Sequence, residues 1–403
     1  MKKRISLADV QQAHQAMYNV VHHTPLDKSV TFSSMAGYDV YLKLENLQKT
    51  GSFKLRGAYN KIHSLTPEEK AKGVIAASAG NHAQGVAYAA RMMETKATIV
   101  MPEVAPLAKV MATRGYGAEV VLSGTVYDDA FHKAQELEVE TKQTFIHAFN
   151  DEAVIAGQGT IGLEILQELE DVSAIVVPIG GGGLIAGVAL AVKELAPHVK
   201  IYGVQAQGAP AMYMSKYAHV LKSTPDATTI ADGIAVKIPG DITFPIVEQY
   251  VDDIVVVDDE AIASTILMML ERAKLMVEGA GAIALAAILN HKIPAHGKVV
   301  SVVSGGNVDV NFISRIIERG LVKAGRRIKI STQITDRPGL LQQLLTVIAN
   351  SRANVIAVFH DRVEQNVPIG QAIIEISLET RDALHTEQIL TNLRQHGYSA
   401  KII

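Results

Sequence analysis

The apolar and polar positions of this chain follow one rhythm for most of its length and a second near the end. From about residue 72, short runs rich in Val, Ile and Ala alternate with helical patterns. Val74–Ala77, Ala97–Met101, Ala118–Leu122 and Thr144–His147 read as strands, with helices over His82–Met93, Leu107–Arg114 and Tyr127–Glu140 between them. A helix from about Glu152 to Leu169 leads to a strand Ala174–Ile179, a helix Leu184–Leu195 and a strand Lys200–Val204. Ile254–Val257, a helix from Asp259, a helix over Ala280–Leu289 and the strand Val299–Val303 continue the series. Such alternation predicts parallel sheets with crossover helices. The strands are apolar almost throughout, as in sheets covered on both faces.

Near residue 325 the rhythm changes. A strand Ile328–Ile334 meets the turn Asp336-Arg337-Pro338-Gly339, whose Pro and Gly suit its special backbone angles. A helix Leu340–Asn350, strands near Val355–Arg362 and Ile369–Leu378, a helix Asp382–His396 and a strand Ser399–Ile403 follow. This order, βαββαβ, fills a domain-sized segment. The expected division is 1–325 and 326–403, an α/β class with a small second domain.

The N-terminus opens Lys2-Lys3-Arg4, but polar residues interrupt at once, so no signal-peptide core follows. Ser6 and Asp9 read instead as a capping box at the start of an amphipathic helix. Ala174 to Val192 carries no charge and is long enough for a membrane span, yet it contains Pro178 and four consecutive glycines. A strand, loop and helix explain it better, and the expected location is cytoplasmic with no membrane partner.

Composition narrows the chemistry. The 403 residues are 48% apolar and 20% charged, as in ordinary globular chains. There is no cysteine, which excludes disulfides, Cys-ligated metal centres and a thiol nucleophile. The net charge of -3 gives no electrostatic basis for nucleic-acid binding.

Four segments could carry a reaction. Gly180-Gly181-Gly182-Gly183 lies between an apolar strand and a helix, where backbone N–H groups and the helix dipole cradle an anion or phosphate. With Leu184 to Ala186 it fits the dinucleotide pattern G-x-G-x-x-A, but the next strand end, Ile201 to Ala206, lacks the acidic residue that pattern wants. Gly51-Ser52-Phe53-Lys54 puts a lysine at a helix start; beside a phosphate cradle, its amine suits a Schiff-base enzyme. Ser78-Ala79-Gly80-Asn81-His82 sits at a strand-to-helix junction and could hold a carboxylate on backbone N–H groups, or be a plain helix cap. Ser304, before Gly305-Gly306-Asn307, follows a buried strand at its carboxyl end, where open α/β sheets bind ligands.

Together and in this order, Ser52–Ala58, Ser78–Gly85, the tetraglycine loop and Ser304–Asn307 resemble the threonine dehydratases, fold-type II pyridoxal phosphate enzymes. Glu45–Gln48, Gly157–Thr160 and Thr229–Gly233 resemble the same family, and 326–403 resembles an ACT domain, a ferredoxin-like regulatory module. The resemblance implies two open parallel-sheet lobes, the smaller over about 50–150. It implies that Lys54 carries pyridoxal 5'-phosphate and removes the Cα proton. Phe53 would pack on the ring, Asn81 would meet the ring hydroxyl, Gly180 to Leu184 the phosphate, and Ser304 the ring nitrogen. The segment Ser78, Ala79, Gly80, Asn81 and His82 would bind the substrate carboxylate. Related serine racemases carry Ser where Ala79 stands and an acidic metal ligand where Gln205 stands, so racemisation and a divalent site are not expected, and no metal is assigned.

The implied reaction converts L-threonine to 2-oxobutanoate and ammonia, with L-serine a poorer substrate. A serine-preferring dehydratase and an idle amino-acid sensor are the competing readings. The ACT-like segment would take an effector, isoleucine or valine, near Gly339, Leu340 and Asn354 at a domain–domain interface, in a homo-oligomer (dimer or tetramer). Isoleucine biosynthesis and threonine breakdown both suit such a chain.

Overall fold

The structure is a computed structural model that describes residues 5–363 and 367–403; Lys2 to Arg4 lie outside them. The chain divides into two compact units, Met1–Val308 and Asp309–Ile403.

The first unit holds two sheets. The larger runs Leu26–Lys28, Asp39–Leu44, Lys298–Val303, Val172–Pro178, Lys200–Ala206 and Asp253–Val257, and only the first pair is antiparallel. The smaller is parallel throughout, in the order Glu119–Leu122, Ala97–Met101, Val74–Ala77 and Thr144–Phe145. The expected alternation is present, with two differences. The short antiparallel strand Leu26–Lys28 has no apolar run to announce it. The strand Glu119–Leu122 is not buried on both faces: it lies at the sheet edge with Glu119 and Leu122 exposed.

The larger sheet reverses direction between Val172–Pro178 and Lys298–Val303. From Val172–Pro178 the chain adds strands outward, and Lys298–Val303 then returns to the opposite side. Loops leaving the carboxyl ends at such a reversal diverge and open a crevice. Here those loops are Ile179–Gly182 and Ser304–Asn307.

The helix Lys54–His63 packs against Asn81–Met92 on one side and Glu152–Glu168 on the other. Missing side chains permit both approaches. A Cβ on Gly85 would stand 3.0 Å from the Lys54 carbonyl carbon, and one on Gly157 only 2.6 Å from the Arg56 oxygen. Ser6 caps the first helix with the expected capping box to Asp9. Val30–Ala36 and Pro67–Lys72 are short helices that the apolar pattern does not reveal; each instead has a capping side chain, Ser29 and Thr66.

The second unit begins with the helix Val310–Lys323. Its antiparallel sheet runs Asn354–Asp361, Gln371–Glu379, Arg327–Thr335 and Lys401–Ile402. Alternate residues of Gln371–Glu379 are buried, so one face is covered. Leu340–Asn350 and Ala383–Gln395 cover it, placing Leu344, Ile348, Ile389 and Leu393 on Ile330, Ile374 and Ile376. The order is the βαββαβ read from the sequence. Among the described residues no helix is long and apolar enough to cross a membrane, and Ala174–Val192 is strand, loop and helix.

Candidate active site

Two loops cross at the carboxyl ends of Asp39–Leu44 and Lys298–Val303. Ser52 and Gly305 form an antiparallel bridge, the Phe53 N–H donates to the Ser304 oxygen at 3.1 Å, and the Gly306 N–H donates to the Gly51 oxygen at 2.9 Å. Gly51 has φ +72, and a Cβ there would meet Asn307 Oδ1 at 2.3 Å, so only glycine lets the strands cross. This crossing brings Lys54 and Ser304 together. Lys54 is half-buried, and its amine donates to the Ala148 oxygen at 2.8 Å and lies 5.2 Å from the Phe53 ring centroid. Burial lowers its pKa to about 8, against the pull of the Glu278 carboxyl. Ser304 Oγ donates to the Ala280 oxygen at 3.0 Å, and its hydroxyl can rotate to donate to another acceptor instead.

The glycine loop stands on the neighbouring strand. Gly182 caps the helix Gly183–Leu195 with φ 99. A Cβ on Gly181 would stand 2.4 Å from the Phe149 ring, and one on Gly183 2.9 Å from Phe149 Cα. Ala148 and Phe149 thus hold the lysine and the loop side by side. Thr243 Oγ1 fastens the loop by donating to the Gly181 oxygen at 2.6 Å. The N–H groups of Gly180 to Gly183 donate no hydrogen bond among the described residues and lie at the positive end of the helix. Gln205 Oε1 accepts from the Tyr213 N–H at 2.7 Å behind the loop, a packing role.

From the smaller sheet comes the segment Ser78–His82. The Ser78 N–H donates to the Val100 oxygen at 3.1 Å and the Gly80 N–H to Ser78 Oγ at 3.2 Å. Among the described residues, no bond is donated by the N–H groups of Ala79, Asn81 or His82. Asn81 binds the larger lobe: its Nδ2 donates to Glu278 Oε1 at 2.6 Å, and its Oδ1 accepts from Asn307 Nδ2 at 2.8 Å. His82 is buried and stays neutral, its pKa pushed down to about 3 by burial and the nearby Lys54 amine. Its Nε2 is 2.8 Å from the Ile146 oxygen, which can only accept, so Nε2 carries the proton.

Lys54, Phe53, Asn81, Ser304 and the glycine loop therefore meet in one unit, linked through Ala148, Phe149 and Gly305. Sequence reading missed Glu278 and Phe149, and gave Asn307, quoted within the Ser304 motif, no role of its own. Glu278 stands before a glycine- and alanine-rich helix, where an acidic residue reads as an ordinary complement to the helix dipole. Also missed was the buried charge cluster beneath the Lys54 helix. Arg56 meets Glu45 at 2.8 Å and Glu164 at 2.5 Å, and Lys43 meets Glu164 at 2.8 Å and Glu168 at 2.9 Å. His23, Glu164 and Glu168 have metal-like spacing, but the Lys43 ammonium already bridges the two carboxylates. A cleft of about 860 Å³ lined by Gln11, His14, Leu166, Asp171 and His198 includes none of the residues discussed above as the site.

Gly339 caps the helix Leu340–Asn350 with φ 91, Leu340 is partly buried against the second core, and Asn354 opens the edge strand. Gly339 and Asn354 lie at opposite ends of that 11-residue helix, about 16 Å apart at 1.5 Å per residue. One copy of the chain does not bring them together.

The arrangement fits pyridoxal phosphate. An amine with a lowered pKa, unpaired N–H groups at a helix start, a rotatable hydroxyl and a fixed amide match its aldehyde, phosphate, ring nitrogen and ring hydroxyl. Fold and site thus define an α/β enzyme class that mounts a phosphorylated carbonyl cofactor on a lysine. The family described as pyridoxal-phosphate dependent enzyme matches residues 18–305, and ACT domain matches 326–397. The chain belongs to the pyridoxal-phosphate dependent enzymes and ends in an ACT domain. It is 52% identical to an L-threonine ammonia-lyase of Thermotoga maritima over 99% of this chain and 100% of that protein. Among solved structures it resembles threonine deaminase isoform 2 of Solanum lycopersicum, with TM-score 0.75 and 38% identity over 78% of this chain and 90% of that one. Maize serine racemase is similar at TM-score 0.75 and 37% identity, over 80% and 99% of the two chains.

Proposed function

We propose that this chain is an L-threonine ammonia-lyase, releasing 2-oxobutanoate and ammonia, with L-serine as a secondary substrate. The observation that carries the reading is the half-buried Lys54 whose amine is held at Ala148, beside the glycine loop and Ser304. Pyridoxal phosphate, when bound, supplies the electron sink that acidifies the substrate Cα–H. Gly180 to Leu184 would hold its phosphate, Phe53 would pack on the ring, Asn81 would meet the ring hydroxyl and Ser304 the ring nitrogen. Ser304 offers a hydroxyl and no carboxylate, so it would not need to hold that nitrogen protonated. A weaker sink favours elimination over transamination.

The free N–H groups of the Ser78–His82 segment take the substrate carboxylate. The neutral Lys54 amine removes the Cα proton and returns a proton to the departing β-hydroxyl, which leaves as water. The released enamine tautomerises and hydrolyses to the 2-oxo acid. Ala79 carries no acid or base for the opposite face of Cα, and the neighbouring His82 stays neutral, so a racemase reading is disfavoured.

The C-terminal unit is read as an amino-acid regulatory site for isoleucine or valine. A site using both Gly339 and Asn354 would take its halves from two copies, in keeping with a homo-oligomer. Replacing Lys54 with Ala tests the catalytic reading: 2-oxo acid release from threonine should vanish, and retained turnover would refute it.

A further inference from the structure

Glu278 takes no part in the steps above. It precedes the helix Gly279–Leu289, is 5% exposed, and its side chain makes no capping bond to that helix. A helix-capping role does not explain it. The carboxyl turns instead toward Asn81: Oε1 accepts from Asn81 Nδ2 at 2.6 Å. A Cβ on Gly305 would stand 2.4 Å from Glu278 Oε1 and 3.2 Å from Asn81 Nδ2, so both groups lie on one face of the residue that follows Ser304.

The other end of the Asn81 amide is also held. Its oxygen accepts from Asn307 Nδ2 at 2.8 Å, and Asn307 Nδ2 donates as well to the Thr50 oxygen at 2.7 Å. Asn307 offers only a donor there, so a flipped Asn81 would set two NH₂ groups face to face. Glu278 on one side and Asn307 on the other fix the amide in a single orientation. One Asn81 N–H is then used by Glu278 and one is left over.

We propose that Glu278 is a positioning residue: it locks the Asn81 amide so that the remaining N–H is held for the cofactor's ring hydroxyl. The assignment rests on the pyridoxal phosphate reading of Asn81. The surroundings explain why a carboxyl can serve without opposing an anionic ring oxygen. Burial first, and Asp232 next, push its pKa up to about 8, while Asn81, Lys109 and Lys54 pull the other way. At neutral pH the group is mostly a neutral acid, which accepts from Asn81 and adds little negative charge.

The test uses the full-length protein, stripped of cofactor and titrated with pyridoxal phosphate. Visible absorbance and equilibrium dialysis are followed for wild type, Glu278→Met, Glu278→Gln, Asn81→Ala and the Asn81→Ala/Glu278→Met double variant. Methionine keeps the buried volume without the acceptor, and circular dichroism establishes that each variant is folded; glutamine imitates the neutral acid. Glu278→Met should weaken cofactor binding about three- to tenfold and shift the absorbance, the effect of one hydrogen bond. Glu278→Gln should restore both. In the Asn81→Ala background Glu278→Met should cost less than twofold, because its route of action is gone. A folded Glu278→Met with wild-type binding and spectrum, full additivity with Asn81→Ala, or no rescue by glutamine overturns the assignment. A wild-type protein that gains no visible absorbance overturns the cofactor reading itself.

Discussion

Gly157 faces the backbone of Arg56 so closely that a Cβ on it would stand 2.6 Å from the Arg56 oxygen. Arg56 lies two residues after Lys54 on the same helix, so this contact sets the depth at which the lysine helix sits against Glu152–Glu168. Placement of the reactive amine thus depends on a side chain that is absent 103 positions away in the sequence (157 − 54).

Replacing Gly157 with Ala should destabilise the protein and displace Lys54. Alanine gains about 1 kcal/mol of helix propensity over glycine, but overpacking a tight contact costs roughly 1–3 kcal/mol. Neither the Arg56 carbonyl nor Gly57 can move aside without shifting the helix. The variant should show a lower Tm and a lower kcat together; a Tm at or above wild type would refute the contact as limiting.

Arg56 tests the charge cluster below. Its guanidinium is fully buried, and flanking Glu45 and Glu164 raise its pKa against the opposing effect of burial. Removing one partner of a buried pair leaves an uncompensated charge and costs about 3–5 kcal/mol. Arg56→Met should lose that much in a urea titration, whereas Arg56→Met with Glu45→Gln should recover part of it. A single variant within about 1 kcal/mol of wild type would show that water already reaches the site.

The candidate site was legible wherever chemistry interrupts an apolar run. Lys54, Gly180–Gly183 and Ser304 all follow buried strands, and a short or charged residue at a strand's carboxyl end has few structural reasons to be there. Sheet order was not legible. Lys298–Val303 is the last strand of its sheet in sequence, yet it inserts between Asp39–Leu44 and Val172–Pro178 through long-range pairing that local pattern does not encode. Glu278 was hidden for a related reason: its partners Asn81 and Gly305 lie on segments that meet it only after folding.

The lowered pKa of Lys54 gives a pH dependence with a definite sign. At a pKa of about 8, about a tenth of the amine is neutral at pH 7, against about three in ten thousand at the ordinary 10.5. The rate at which apoprotein gains visible absorbance with pyridoxal phosphate should rise nearly tenfold per pH unit below 8 and level off above it. Stability follows the same group. Between about 8 and 10.5 the unfolded chain binds the proton that the folded chain has lost, so apoprotein stability rises with pH there. Glu278 acts in the adjoining window with the opposite sign: the folded chain keeps its proton from 4.5 to about 8, and stability falls as pH rises through it. Lys54→Met should flatten the upper window alone, and Glu278→Gln the lower one. A rate profile without a bend at or below pH 8 in the Glu278→Gln variant, which lacks the carboxyl that pulls the lysine up, would refute the lowered lysine.

The effector reading can be tested through its dependence on two copies of the chain. Gly339 has an open face, with nothing within 4 Å of an added Cβ, and Asn354 makes one exposed bond to Glu379 at 3.3 Å. Losing that bond costs little, since exposed polar pairs contribute well under about 1 kcal/mol, so Asn354→Ala should fold normally. If the two residues face one ligand across a pair of copies, calorimetry of the full-length protein should give heat with isoleucine or valine that Asn354→Ala removes. The apparent affinity should also weaken on dilution, because the site is assembled only when the copies associate. The same ligand must shift threonine affinity, and threonine must shift ligand affinity by the same factor, before the two sites are coupled. Heat that survives Asn354→Ala and does not change with protein concentration would place the ligand within one copy and overturn the two-copy site.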